Sequence, residues 1–292
     1  MSHDTESPGY SIFRNTIADL TWPEVEVAAE ADQPLLIPVA VVEQHGLHLP
    51  LATDVYGSHV LSSLIKEELA RQEVQSQIAP PYYYGLNTTT RMFPGSIDVS
   101  PDTMVALLSD LYENFAAWGF RRQFIINHHG DAQHNAAIVR SILARRGRDY
   151  TVTFVLGGLL ADIVEVGYKA TFEQDFPLRG RELLRVSDSA ATLEARTRLT
   201  RSKGVDVHAG ERETSLIMRW APDTLPDYDR SSIEPVPESL RQFVEAERSG
   251  RWRELSPCGH IGDPRVASVE NGELYAYEAR DIAQAILGFL ED

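Results

Sequence analysis

The chain has 292 residues, of which 43% are hydrophobic and 24% charged, with a net charge of −16 and one cysteine. That composition folds around a sizeable core, and no apolar run approaches the ~20 residues of a membrane span. The acidic balance excludes nucleic acid and anionic membrane as main partners, because both need positive fields. Cys258, being alone, excludes a disulfide framework and a multi-cysteine zinc site.

The start, Met1-Ser-His-Asp-Thr-Glu6, has no basic region and no apolar core. No secretory signal is expected, and a cytoplasmic setting is. Met1–Pro8 is polar and expected to be loose, within an N-terminal extension over residues 1–20. Residues 21–292 are expected to form a single domain, since no linker rich in Gly, Pro or Ser divides them. Thr21-Trp-Pro-Glu24 reads as a helix start, with Thr21 as cap, Pro23 in the first turn and Glu24 reaching back. Pro34–Val42 reads as a strand buried on both faces, and Val55–Arg71 as a helix.

Thr103–Trp118 is helical, Phe124–Asn127 a short apolar strand, and Ala136–Arg145 a helix. Tyr150–Leu156 is a strand by its β-branched content. Phe172–Gly204 is polar and expected to be an elaborated loop with one helix, Ser187–Arg198. Glu270–Leu290 closes the chain as an amphipathic helix. Strands alternating with helices imply an α/β fold with a mostly parallel sheet covered on both sides.

The chemistry-bearing residues fall in three clusters. Pro34–Val42 runs into Glu43-Gln-His45-Gly-Leu-His48, and Asp54 follows at the next helix start. Residues i and i+2 of an extended segment point the same way, so Glu43 and His45 can aim into one pocket. Phe124–Asn127 ends in His128-His129-Gly-Asp131, where Gly130 allows a sharp turn. Both clusters follow strand ends, where open α/β sheets place active sites. Asp206-Val-His208-Ala-Gly-Glu-Arg-Glu213-Thr-Ser215 adds a histidine and carboxylates at a loop-to-helix junction.

Imidazole and carboxylate without thiolate suit Zn, Mn, Fe(II) or Ni. The ligands suffice for two divalent metal ions with Asp54 as the bridge. Two ions ~3.5–4 Å apart can share a hydroxide and polarise a carbonyl together.

Outside the clusters, Tyr82-Tyr-Tyr84 reads as a strand end packing on the core, or else as a pocket wall for a flat ring. Thr88–Arg91 reads equally as a loop or a contact for a polar substrate. His48 reads as structural rather than as a ligand, and His59 as packed. His134 either faces the site one turn beyond Asp131 or caps a helix. Cys258 reads as a buried or inert thiol.

Glu43-Gln-His45-Gly-Leu-His48-Leu-Pro-Leu-Ala-Thr-Asp54 closely resembles the first metal motif of the creatininase (creatinine amidohydrolase) family. Asn127-His-His129-Gly is similar to that family's Asn-Gly-His-Gly segment, and His208-Ala-Gly-Glu-Arg-Glu213-Thr-Ser215 to its His-Ala-Gly…Glu-Thr-Ser motif. Phe93-Pro-Gly-Ser96 and Gly262–Ser268 match weaker segments. The resemblance spans roughly Thr21 to Leu290.

It implies a three-layer α/β/α sandwich, a binuclear metal site holding Zn, Mn or Fe, a small-molecule substrate and a homo-oligomer, commonly a hexamer. One metal would take Glu43, Asp54 and His129. The other would take His45, Asp54 and a carboxylate, either Asp131 or Glu213. His208 would act near the substrate as acid/base or oxyanion partner. His128 replaces a glycine of the family pattern, and the family's tryptophans over creatinine have no clear match. The expected reaction is hydrolysis of a small cyclic amide. The alternatives are hydrolysis of a C–C bond in a cyclic polyol diketone of the 3-dehydro-scyllo-inosose type, and a non-catalytic metal-stabilised subunit.

Overall fold

The computed structural model describes residues 9–158, 160, 177–236, 245 and 249–291. The expected loose segment Met1–Pro8 and the first part, 172–176, of the expected elaborated loop lie outside the described residues.

Five parallel strands form the sheet: β1 (Leu35–Val39), β2 (Gln77–Ile78), β3 (Arg122–Asn127), β4 (Thr151–Leu156) and β5 (Leu183–Arg185). Their order is β2-β1-β3-β4-β5. The long helices are α1 (Trp22–Glu30), α2 (Thr53–Arg71), α3 (Pro101–Trp118), α4 (Ala132–Leu143), α5 (Ala190–Leu199), α6 (Glu211–Trp220) and α7 (Leu274–Glu291).

The alternation of side chains along a strand sorts the core into two layers. Leu35, Ile37 and Val39 of β1 pack with Ile125 and Phe154 against Met104, Leu108, Tyr112 and Phe115 of α3 and Ile138 of α4. Leu36, Phe124, Ile126 and Val155 face the other way, against Leu61, Ile65 and Leu69 of α2 and Ala279, Ile282 and Ile286 of α7. Helices therefore cover both faces, which makes the expected three-layer α/β/α sandwich.

Local signals set several ends. Glu24 accepts a hydrogen bond from the Thr21 backbone N–H at 2.7 Å, and Pro23 lies in the first turn of α1. Ser100 caps α3 through the Thr103 N–H, and Gly119 ends it with φ +118°, a left-handed conformation that glycine adopts without a Cβ clash. Strand β5 falls in the segment read from sequence as loop, and α5 falls close to the helix expected there.

The register of the central pair positions the site. Val39 lies opposite Asn127, so β1 and β3 end side by side. The segments carrying Glu43 and His129 thus leave the sheet together at its carboxyl edge.

Phe154 is fully buried and Leu193 on α5 is 54% exposed. Phe154→Ala should cost about 3–5 kcal/mol by loss of burial and cavity formation, and Leu193→Ala no more than about 0.5 kcal/mol. Urea denaturation of both variants checks the two-layer core; equal losses would contradict it.

Candidate metal centre

Three short segments and two helix starts converge beyond the carboxyl edge of the sheet. After β1 the chain places Glu43 and His45. Gly46 then turns with φ +68°, where an added Cβ would crowd the His48 ring at 3.1 Å. Asp54 comes from the first turn of α2, His129 from the loop after β3, and His208 from the segment before α6. Glu213 lies in the first turn of α6. Ala209, with φ +49°, makes the sharp turn between His208 and that helix, a conformation costing an alanine about 1–2 kcal/mol.

Asp54 is the centre of the cluster. Its Oδ1 lies 3.3 Å from His45 Nε2 and 3.4 Å from His128 Nδ1, and its Oδ2 lies 3.0 Å from His129 Nδ1. His129 Nδ1 is also 3.1 Å from Glu43 Oε1, and His45 Nε2 is 3.7 Å from Glu213 Oε2. Glu43, His45, Asp54, His129 and Glu213 are buried, and His128 is partly buried. Among the described residues, three trios bring their donor atoms within 4.8 Å of one another: Glu43–His45–His208, Glu43–Asp54–His129 and His45–Asp54–Glu213.

The outer nitrogen of each imidazole is fixed by a backbone carbonyl. His45 Nδ1 donates to Glu43 O at 3.1 Å, and His129 Nε2 donates to Leu86 O at 3.0 Å. That leaves His45 Nε2 and His129 Nδ1 to face the carboxylates, the arrangement in which backbone contacts hold metal-binding histidines. His45 Nε2 and Asp54 Oδ2 are buried with no hydrogen-bond partner despite their near neighbours. Atoms aimed at a shared point rather than at each other fit a divalent cation, and the imidazole–carboxylate donor set suits a transition ion.

The electrostatics agree. Burial opposes charge on His45, but Asp54, Glu213 and Glu43 outweigh it and lift the imidazole to about 10. Burial likewise opposes charge on His129, and Glu43 and Asp54 raise it well above its usual value. Burial disfavours the Asp54 carboxylate, yet His45, His128 and His129 hold it well below its usual value. Without another cation, the histidines carry the charge that buried carboxylates require.

Asp131 does not join this cluster. It caps α4, with Oδ1 accepting from Gln133 N at 2.8 Å and His134 N at 3.1 Å. Its Oδ2 accepts from Thr88 N at 2.9 Å and Thr89 Oγ1 at 3.1 Å. Both oxygens are committed, so Glu213 is the carboxylate brought to His45 and Asp54.

His208 lies beside His45, with ring centroids 4.4 Å apart. Its Nε2 donates to Gln44 O at 2.8 Å, while Nδ1 sits 3.8 Å from Glu43 Oε1. His48 is buried with Nε2 on Thr214 Oγ1 at 2.9 Å, a structural contact. His134 packs edge-on behind His129, with ring centroids 5.0 Å apart. His59 is held by Tyr10 Oη and Arg14 O.

Thr90 donates to Glu43, so Thr88–Thr90 buttress the cluster rather than present free hydroxyls. Tyr82 packs on the core while Tyr84 is half exposed. Cys258 is exposed, which corrects the buried alternative of the expectation of a buried or inert thiol: it lies in a turn outside the cores.

A cavity of about 490 Å³, counted with its open mouth, is lined by Glu43, Asp54, His129, His208 and Glu213 on one side. His128, Tyr275, Arg212 and Glu278 line it as well. His128 Nε2 lies 3.1 Å from Tyr275 Oη. Its ring occupies space that a side chain at Gly57 would fill, since an added Cβ would lie 2.7 Å away. Trp252 stands edge-on to His208 at 5.5 Å.

Sequence reasoning missed Tyr275, Glu278 and Trp252 as site residues. The signal for Glu278 was a carboxylate set on the apolar stripe of the final helix, three residues after Tyr275 and four before Ile282.

The family model described as creatinine amidohydrolase (Creatininase) matches residues 18–286. The mycofactocin precursor peptide peptidase of Mycobacterium ulcerans (strain Agy99) is 26% identical over 271 residues, covering 91% of this chain and 85% of the relative. The protein of that description from Mycobacterium tuberculosis (strain CDC 1551 / Oshkosh) is 30% identical over 245 residues, covering 82% and 78%. Creatinine amidohydrolase of Pseudomonas putida is 28% identical over 119 residues, covering 39% and 44%.

Among solved structures, a tryptophan mutant of creatininase superposes with a TM-score of 0.64 at 21% identity, covering 95% of this chain and 99% of that one. A manganese creatininase gives 0.58 at 21% identity, covering 95% and 97%. With the family model spanning nearly the whole chain, this protein is a member of the creatininase family of hydrolases.

Proposed function

We propose that this chain is a binuclear, divalent-metal-dependent amide hydrolase acting on a peptide amide. One ion would be held by Glu43, Asp54 and His129, and the other by His45, Asp54 and Glu213. The observation that carries this reading is Asp54, whose two oxygens face two different histidines and which belongs to both trios. Bound there, the ions supply Lewis-acid polarisation of a carbonyl and an activated water.

The chain's own residues then have distinct tasks. Glu43 and Asp54 accept charge at the base of the cavity and are held by Thr90 and His128. His208 stands outside the two proposed ligand trios. Its Nε2 hydrogen is committed to Gln44 O, so Nδ1 is the atom able to take up or release a proton at the scissile bond.

A peptide is preferred over a small cyclic amide because the likeness to the peptide peptidases runs along 82–91% of this chain. The likeness to creatinine amidohydrolase covers 39%. The polyol-diketone reading loses support from Thr88–Thr90, whose hydroxyls are bound to Asp131 and Glu43 rather than facing a ligand. Six convergent buried side chains also argue against a subunit with no chemistry.

Elemental analysis after metal loading should find about two equivalents in wild type. Asp54→Ala and Glu213→Gln should lose metal, and Asp131→Asn should keep it. Retention by Glu213→Gln with loss by Asp131→Asn would reverse the ligand assignment.

Because His45 titrates near 10 and His129 is raised well above its usual value, the metal-free site holds protons that binding must displace. Affinity should therefore rise from pH 7 to pH 9. Calorimetry in two buffers of different ionisation heat should show proton release; none would contradict the site.

Metal-loaded wild type should hydrolyse short peptides and lose that activity to a chelator. His208→Ala should retain its metal and lose about 10²–10⁴-fold in kcat. Creatinine turnover exceeding peptide turnover would return the cyclic amide to first place.

A further inference from the structure

The motif running from His208 to Ser215 contains a residue that neither proposed metal position uses. Arg212 is 9% exposed and lies on the cavity wall. Among the described residues lining that cavity, it is the one Lys or Arg. The rest of the charged lining includes Glu43, Asp54 and Glu213, which would repel an anionic ligand.

Arg212 is held in place from two sides. Its guanidinium stands 5.2 Å from the centre of the Tyr275 ring, and one end pairs with Glu278. Glu278 is clamped in turn by the backbone at Gly158, where φ is +58° and an added Cβ would lie 2.8 Å from the carboxylate. Glu278 also pairs with Arg196 at 3.1 Å. Compensation of the buried carboxylate thus does not depend on Arg212 alone. Meanwhile Arg212 Nε is buried with no hydrogen-bond partner. A preset guanidinium in a cavity, tied to Glu278 and Tyr275 but with its Nε unpaired, is suited to receive a planar carboxylate.

Its distance from the cluster is set by the side chains between them. His128 bridges Asp54 Oδ1 at 3.4 Å and Tyr275 Oη at 3.1 Å, and Arg212 lies against the Tyr275 ring. Arg212 and the cluster line one cavity, so a ligand with its carbonyl at the cluster and a carboxylate at Arg212 lies within it.

We propose that Arg212 is a specificity-determining residue that anchors a free carboxylate next to the scissile amide, so that the preferred substrate is a peptide cut near its C-terminus. This rests on the amide-hydrolase reading above and names the substrate class of that same site.

The test uses binding to the metal-loaded full chain, measured by calorimetry with N-benzoylglycine and its neutral amide. Wild type should bind the acid about tenfold or more tighter than the amide, as a charge-assisted contact provides. Arg212→Met should reduce that preference to about threefold or less, and Arg212→Lys should keep part of it. Thermal melts and metal analysis check that each variant is folded and loaded.

A carboxylate that binds only through the metals would leave the preference intact in Arg212→Met, which overturns the proposal. Wild type indifferent to the charge overturns it without any variant. Failure to hydrolyse any peptide would instead count against the amide-hydrolase reading, since it is a separate measurement from ligand preference.

Discussion

Two buried carboxylates, Glu43 and Glu213, each lie within reach of a third, Asp54, and that constraint organises this end of the molecule. Buried like charges are tolerated only with positive charge between them. The fold answers with His45 and His129, both raised above their usual values, sets His128 and His208 beside them, and fixes how three of these imidazoles point with backbone carbonyls. Asp54 can serve both halves of the cluster because α2 begins directly above the ends of β1 and β3. The parallel register of those strands is therefore part of the site, not merely its support.

The outer parts of the structure maintain this arrangement. Asn127 accepts from His129 N and donates to His129 O, locking the turn after β3. Asn135 joins the same network from α4. Thr88 and Thr89 bind Asp131 while Thr90 binds Glu43, so one short loop braces both strand ends. Polar side chains that resemble substrate contacts in the linear sequence thus become scaffolding once their partners are known.

Much of this could be read from the residues themselves. The apolar runs of β1, β3 and β4 announce buried strands, and Glu43, His45, Asp54 and His129 stand out by their spacing after strand ends. Strands β2 and β5 escape detection because two or three residues carry no period, and β5 is only half buried. The choice between Asp131 and Glu213 could not be made from spacing. Both lie near histidines, and only the hydrogen bonds of the α4 cap reveal that Asp131 is already occupied. Tyr275 and Glu278 reach the cavity, and Trp252 reaches His208, through tertiary packing, which leaves little local trace.

The two donor trios differ in how much of the chain they require. Glu43, Asp54 and His129 all come from the stretch ending just past β3, so a chain folded only that far already contains them. The trio with His45, Asp54 and Glu213 cannot close until α6 docks, across a gap like the 164 residues that separate Gln44 from His208. Contacts of such long separation carry a larger loop-closure cost than local ones. The cluster therefore has a half contained within residues 43–129 and a half that also depends on how α6 is seated, so a change that loosens α6 weakens one trio and leaves the residues of the other in place.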